Sequence, residues 1–255
     1  MNSVGCGKVS SYEEIAKEKL YERYQDDFEI ENVQSHHFLS GYYTVIAYPQ
    51  SDPTLLFKAS INDDGSEESD NYVCTLVCQR LSEQVEKNLN ALNGFYYVYS
   101  KPRIDTVNIQ NKEMSVREYV QEFPSCAFRT YLFYCPETFD AEAFAFNIQQ
   151  AFNGLEFIEG KIDMYVVPDE DSLGKIQNYL ETHDQMYDEF KDIADSYYKG
   201  SIEFKFGSWS MSLEEIQEMV KMMSGEGCGC GCGDCGGGCG DGCSDENNCG
   251  CGHCH

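Results

Sequence analysis

Residues 55–94 read LLFKASINDDGSEESDNYVCTLVCQRLSEQVEKNLNALNG, and two different periods meet inside them. Leu55, Phe57, Ala59 and Ile61 alternate with Leu56, Lys58 and Ser60, the period of a strand buried on one face. Asn62-Asp63-Asp64-Gly65 ends the alternation, because these residue types favour the backbone geometry of tight turns. From Asn71 to Leu92 the apolar positions become Val73, Val77, Leu81, Val85 and Leu89, four apart, the stripe of a long amphipathic helix. Asn93-Gly94 predicts its end, since both residues tolerate the left-handed conformation of a helix C-terminus. Strand and helix patterns in such close succession make the chain an α+β protein.

Working outward, Ser11-x-x-Glu14 is a capping-box pattern, and Tyr12, Ala16, Leu20 and Tyr24 recur on one face of a first helix. Strands are predicted over Phe28–Val33 and Tyr42–Tyr48 before the central run, and over Phe95–Tyr99 after it. The order α-β-β-β-α-β defines a first unit over residues 10–104. The segment Ser100–Glu113, with Pro102, is read as the boundary. A second mixed unit follows over residues 114–223. It opens with a short helix capped by Ser115-x-x-Glu118 and closed by Pro124, then a β-prone run Cys126–Cys135. Helices are predicted over Asp140–Phe152, Asp169–Glu181 and Asp184–Tyr197, strands over Lys161–Val167 and Ile202–Phe206. A last helix begins at the capping box Ser212-x-x-Glu215 and carries Leu213, Ile216, Val220 and Met223. The expected architecture is two abutting α+β modules with antiparallel or mixed sheets and packed helices, followed by a disordered Gly/Cys-rich tail over residues 224–255.

The run Tyr21-Glu22-Arg23-Tyr24-Gln25-Asp26-Asp27-Phe28-Glu29-Ile30, then Asp52-Pro53 before Phe57, then Asp70-Asn71-Tyr72, resembles an uncharacterised family of Gram-positive bacterial proteins, many of them lipoproteins. The resemblance covers about 80 residues and implies a helix followed by a β-meander, in the manner of cystatin-like or PepSY-like modules. It brings no catalytic residues with it.

The formal net charge is −26, with 44 acidic against 18 basic residues. Such a field repels phosphate backbones and anionic lipid surfaces, so nucleic acid is not an expected partner. Soft metal ions and a protein partner are the expected ones. No run approaches the ~18 apolar residues that a membrane span needs, and the first ten residues lack the pattern of a signal peptide. Reduced thiols point to the cytoplasm. Gly5-Cys6-Gly7-Lys8 resembles the start of a mature lipoprotein, which makes an extracytoplasmic lipoprotein lipidated at Cys6 the main rival.

The strongest chemical signal is the tail. Cys228, Cys230, Cys232, Cys235, Cys239, Cys243, Cys249, Cys251 and Cys254 fall within 27 residues, and His253 and His255 close the chain. Thiolate and imidazole are the ligands that Zn²⁺ and Cu⁺ prefer, and glycine lets a backbone wrap an ion without steric conflict. The tail resembles metallothioneins in cysteine density alone, for it contains no lysine. Cys232-x₂-Cys235 and Cys251-x₂-Cys254 have zinc-ribbon spacing, but among nine crowded cysteines some subset fits almost any pattern. Two other readings stay open: a substrate whose cysteines are enzymatically modified, and a low-complexity tail with no fixed role. A disulfide framework is disfavoured by the odd count and by the strain of Cys-x-Cys bridges.

In the body, Cys74 and Cys78 lie four apart on the long helix; half a metal site is conceivable, and small apolar core residues are the favoured reading. Cys126 and Cys135 bracket one strand run. His36-His37 is read as an exposed loop pair and His183 as a turn residue. Aligning Gly65 with the calcium-loop glycine places Ser60 and Asn71 where carboxylates are needed, so Asn62–Asp70 is read as a solvated acidic turn. No Ser–His or Cys–His spacing supports nucleophilic catalysis. Trp209 is expected to pack against the last helix.

Overall fold

The computed structural model describes residues 12–37, 41–62, 64–89, 92–182 and 198–223. Cys6, the capping box at Ser11, His183, the predicted helix Asp184–Tyr197 and everything from Ser224 onward lie outside the described residues. The fold is α+β, built on two sheets.

The first sheet is an antiparallel meander of β1 (Phe28–His37), β2 (Tyr42–Pro49), β3 (Phe57–Asn62) and β4 (Glu67–Asp70), preceded by α1 (Tyr12–Tyr24). Helix followed by meander is the order that the family resemblance implies. Helix α1 buries Ala16, Leu20 and Tyr24, while Tyr12 stays 44% exposed with its ring against Tyr43. The period-two pattern of β3 is realised residue by residue, with Phe57, Ala59 and Ile61 buried and Lys58, Ser60 and Asn62 half-buried. Four rings tie α1 to the sheet: Tyr72 lies 4.8 Å from Tyr24, 5.1 Å from Phe28 and 4.8 Å from Phe57 between centroids. Such pairs add about 0.5–1.5 kcal/mol each beyond the area they bury.

Two expectations change here. His36 and His37 belong to β1, opposite Tyr43 and Tyr42, so the predicted loop is in fact strand. The register slips between Ile30 and Asn32 and again between Val33 and Ser35 let β1 run on past the point where its apolar alternation stops. The acidic segment Asn62–Asp70 contains a turn, in which Asp64 accepts from the Ser66 amide at 2.9 Å, and then a fourth strand, β4. Polar strands of this kind leave no apolar alternation to read.

Helix α2 (Tyr72–Asn88) is the hub. It buries Val73, Val77, Leu81 and Val85 as the periodicity predicts, and also Cys74, Cys78 and Ser82. Burial of this width follows from its neighbours, since α2 packs against β3, β5, α3 and α4. The helix ends at Leu89, short of Asn93-Gly94. Gly94, at φ +113, opens the next strand instead, where a Cβ would stand 2.3 Å from the Cys135 carbonyl oxygen.

The second sheet runs in the order β5 (Gly94–Pro102), β6 (Phe128–Pro136), β7 (Glu159–Val166), β8 (Tyr198–Lys205) and β9 (Ser208–Trp209). Strand β5, which the sequence places with the first unit, pairs antiparallel to β6 and so belongs here. The β6–β7 pair is parallel, and α4 (Ala141–Ala151) supplies the crossover that parallel strands require. One face of this sheet packs with α2, α3 (Val116–Glu122), α4 and α6 (Leu213–Met223) into an apolar cluster that continues into the first sheet. The other face is covered by Leu173, Ile176 and Leu180 of α5 (Glu170–Thr182), over Phe133, Tyr165 and Val167. Strand β6 is therefore buried on both sides.

Both predicted internal capping boxes are present. The Ser115 hydroxyl accepts from the Glu118 amide while Glu118 returns the contact to the Ser115 amide, and Ser212 and Glu215 do the same. Each cap is worth about 1 kcal/mol. Trp209 lies in β9, its ring 5.7 Å from Phe152 and 5.9 Å from Phe204, against the apolar cluster that also contains Ile216, Val220 and Met223 of α6. Among the described residues no helix is long and apolar enough to cross a membrane.

Candidate functional site

Strand β5 is an edge strand, and α2 runs along its unpaired side. An exposed edge invites pairing with other chains, so its outward N–H groups need partners. Two residues of α2 supply them: Glu86 Oε1 accepts from the Val98 amide at 3.1 Å and Ser82 Oγ from the Ser100 amide at 2.8 Å. Continuing down α2 in steps of four, Cys78 and Cys74 follow on the same side. The series Cys74, Cys78, Ser82 and Glu86 is thus a second stripe beside the apolar one, and its helical spacing is the signal by which sequence reasoning could have found it.

A cleft of about 570 Å³ opens along this edge. Cys78, Ser82 and Glu86 line it on the α2 side, with Lys58, Lys101 and Glu181 from the elements around it. Burial pushes the Glu86 carboxyl upward, against the Val98 amide that holds it down.

Behind Cys78 lies a group of buried thiols. Cys74 Sγ is 3.1 Å from the Tyr119 hydroxyl, and Cys126 Sγ donates to the same hydroxyl at 3.8 Å. Thr106 Oγ1 completes the ring of contacts around Tyr119. Donation from the Cys78 thiol, working against burial and helped by Tyr119 and Thr106, brings Cys74 down to about 7. Burial pushes Cys78 and Cys126 up, and it pushes the Tyr119 phenol up well beyond its ordinary range. The arrangement can hold a proton among three sulfurs and two hydroxyls. All four body cysteines are reduced and buried, and Cys135 stands apart on the face covered by α5. Among the described residues no three His, Cys, Asp or Glu side chains are arranged to hold a metal ion.

A second polar centre sits on β7. Asp163 is fully buried and takes Arg129 Nε at 2.5 Å, Lys161 Nζ at 3.3 Å and the Ser201 hydroxyl. Burial pushes its carboxyl up, but the Ser201 hydroxyl and the Arg129 guanidinium outweigh that and hold it below the usual carboxylate range. A cleft of about 500 Å³ adjoins it, lined by Arg103, Arg129, Lys161, Phe204 and Trp209. No sequence pattern announced this centre, because Arg129, Lys161 and Asp163 come together only through strand register.

The residues that the sequence singles out for metal binding, from Cys228 to Cys254 with His253 and His255, lie outside the described residues.

No family model matches the chain, and no curated protein matches it. Among solved structures, it is similar to the crystal structure of a DUF5037 family protein from Ruminococcus gnavus, with a TM-score of 0.65 and 15% sequence identity. The match covers 83% of this chain and 99% of that one. The two share a fold.

Proposed function

We propose that this protein binds soft metal ions, Zn²⁺ or Cu⁺, through its C-terminal segment, with the α+β body as carrier or docking unit for a protein partner. The ligands are Cys228, Cys230, Cys232, Cys235, Cys239, Cys243, Cys249, Cys251 and Cys254, with His253 and His255 as supplementary donors. One observation carries the reading: nine cysteines within 27 residues on a glycine-rich backbone. Neighbouring thiolates separated by one glycine can share or bridge ions, and nine suffice for a cluster of about three tetrahedral divalent ions. Metal would also relieve the repulsion among thiolates in a segment that carries no lysine or arginine.

Native mass spectrometry of the reduced full chain tests this, beside a variant in which the nine tail cysteines are serine. Discrete zinc adducts on the first and their loss on the second are expected. Equal zinc uptake by both proteins rejects the proposal. Mass losses characteristic of ring closure at the tail cysteines, in protein taken from its native cell, would identify a modification substrate instead.

A further inference from the structure

We propose that the end of the second sheet where Arg103 and Arg129 meet binds a small ligand through an oxoanion head, a phosphate or a carboxylate. The placement follows from register. Lys101 opposes Arg129, and Arg129 opposes Lys161, so three adjacent strands set three cations in one row on one face. The Arg103 amide donates to the Ala127 carbonyl at 2.8 Å, which carries the β5–β6 ladder one step past Pro102. Arg103 therefore stands diagonal to Arg129 on the same face, at a backbone separation of about 7–8 Å.

Like charges side by side destabilise a sheet, and the row is closed by one acid, Glu203, which opposes Lys161 on the next strand. Asp163, in the next row of the same face, offsets the repulsion in part. It engages only Nε of Arg129. Among the described residues, no carboxylate pairs with the terminal nitrogens of Arg129 or with any nitrogen of Arg103. The Arg129 guanidinium is steadied by the Tyr131 ring, 5.0 Å away. A planar fork held in this way matches the two oxygens of a carboxylate or phosphate.

Both clefts are lined by these two arginines. Their walls carry six basic and six acidic residues, in a chain where acids outnumber bases 44 to 18. The negative field of the protein is thus locally balanced, while remaining strong enough elsewhere to turn away an extended polyanion. The cleft of about 500 Å³, bordered by Trp209 at the end of the sheet, has room for the organic part of a small molecule.

Trp209 is the only tryptophan in the chain and lines the cleft, so it reports on occupancy. The full chain is titrated with inorganic phosphate and, separately, with acetate, at constant ionic strength set by chloride. Metal is first removed from the full chain with EDTA, and the chelator, itself a carboxylate, is dialysed away before the titration. Tryptophan emission and the thermal midpoint are both followed. A saturable response to one of the two anions is expected, and the tighter one identifies the head group. The exposed Arg103→Ala variant should bind about tenfold more weakly, with Arg103→Lys in between, because an ammonium keeps the charge and loses the fork. Absence of a saturable change in both signals overturns the proposal, and so does an Arg103→Ala protein that binds as the unaltered chain does.

Discussion

Replacing Asp70 with alanine should destabilise the protein by about 3–4 kcal/mol and should do so for both sheets at once. The Asp70 side chain is fully buried, and three donors converge on it: Arg23 Nη1 at 2.5 Å, the Tyr24 hydroxyl at 2.6 Å and the Tyr72 amide at 3.0 Å. Removing one partner of a buried pair costs about 3–5 kcal/mol. Two facts place this case toward the lower end. Arg23 is 21% exposed and keeps a bond to Asn108 Oδ1, and Tyr24 keeps the Ile109 carbonyl at 3.0 Å. The orphaned Tyr72 amide, in the first turn of α2, adds about 1 kcal/mol of lost capping. With a slope of about 2–3 kcal/mol per molar, the urea midpoint should fall by roughly 1–2 M. Far-UV circular dichroism reports the helices, and Trp209 fluorescence reports the second sheet, remote from Asp70 in sequence. Because one apolar cluster joins the two sheets through α2, both signals should move together. A loss under 1 kcal/mol, or a Trp209 transition that stays in place while the dichroism becomes biphasic, would refute the reasoning.

Two glycines give a contrast of the same kind. A Cβ at Gly160 would stand 2.5 Å from the Phe128 carbonyl oxygen, so Gly160→Ala should force the β6–β7 backbone apart and cost about 1–3 kcal/mol in thermal or urea unfolding. A Cβ at Gly200 meets the Met223 and Met219 sulfurs at 2.6 and 3.0 Å, the ends of flexible side chains, and Gly200→Ala should cost less; the reverse ranking would contradict the packing described. At the thiol group, Cys74 titrates near 7 in the fold and near 8.5 when unfolded, so between these values the unfolded chain holds more protons and stability rises with pH. That contribution is present above the unfolded thiol value and is lost as pH falls through 7, while Cys78 and Cys126, held up by burial, act in the opposite sense once pH passes their unfolded value. Urea unfolding at pH 6.5 and 8.5 should show a smaller pH increment in Cys74→Ser and Tyr119→Phe than in the unaltered chain, and equal increments would sink the assignment.

What the sequence made legible follows from which forces are local. The alternation of Phe57, Ala59 and Ile61, the stripe from Val73 to Val85 and the boxes at Ser115 and Ser212 are short-range patterns, and the structure realises each of them. Strand β5 was recognised as a strand, but its pairing with β6 was not legible, because Val98 and Ser100 carry no mark of whether β3 or β6 will pair with them. Strand β4 is Glu-Glu-Ser-Asp, whose polar composition reads as a turn, and Asp70 reads as a surface charge until Arg23 and Tyr24 are brought to it across 46 residues or more. The same holds for Arg129, Lys161 and Asp163, which form a site only after three strands are set in register. The stripe Cys74-Cys78-Ser82-Glu86 was readable by spacing, yet its use as cover for the β5 edge depended on knowing where that edge lies.

The functional account is tested most directly by a competition titration, in which the reduced full chain withdraws Zn²⁺ or Cu⁺ from a coloured chelator of known affinity. The prediction is stoichiometric withdrawal of several ions per chain, abolished when Cys228, Cys230, Cys232, Cys235, Cys239, Cys243, Cys249, Cys251 and Cys254 are serine. A full chain that leaves the chelator loaded, or a serine variant that strips it equally well, contradicts the account.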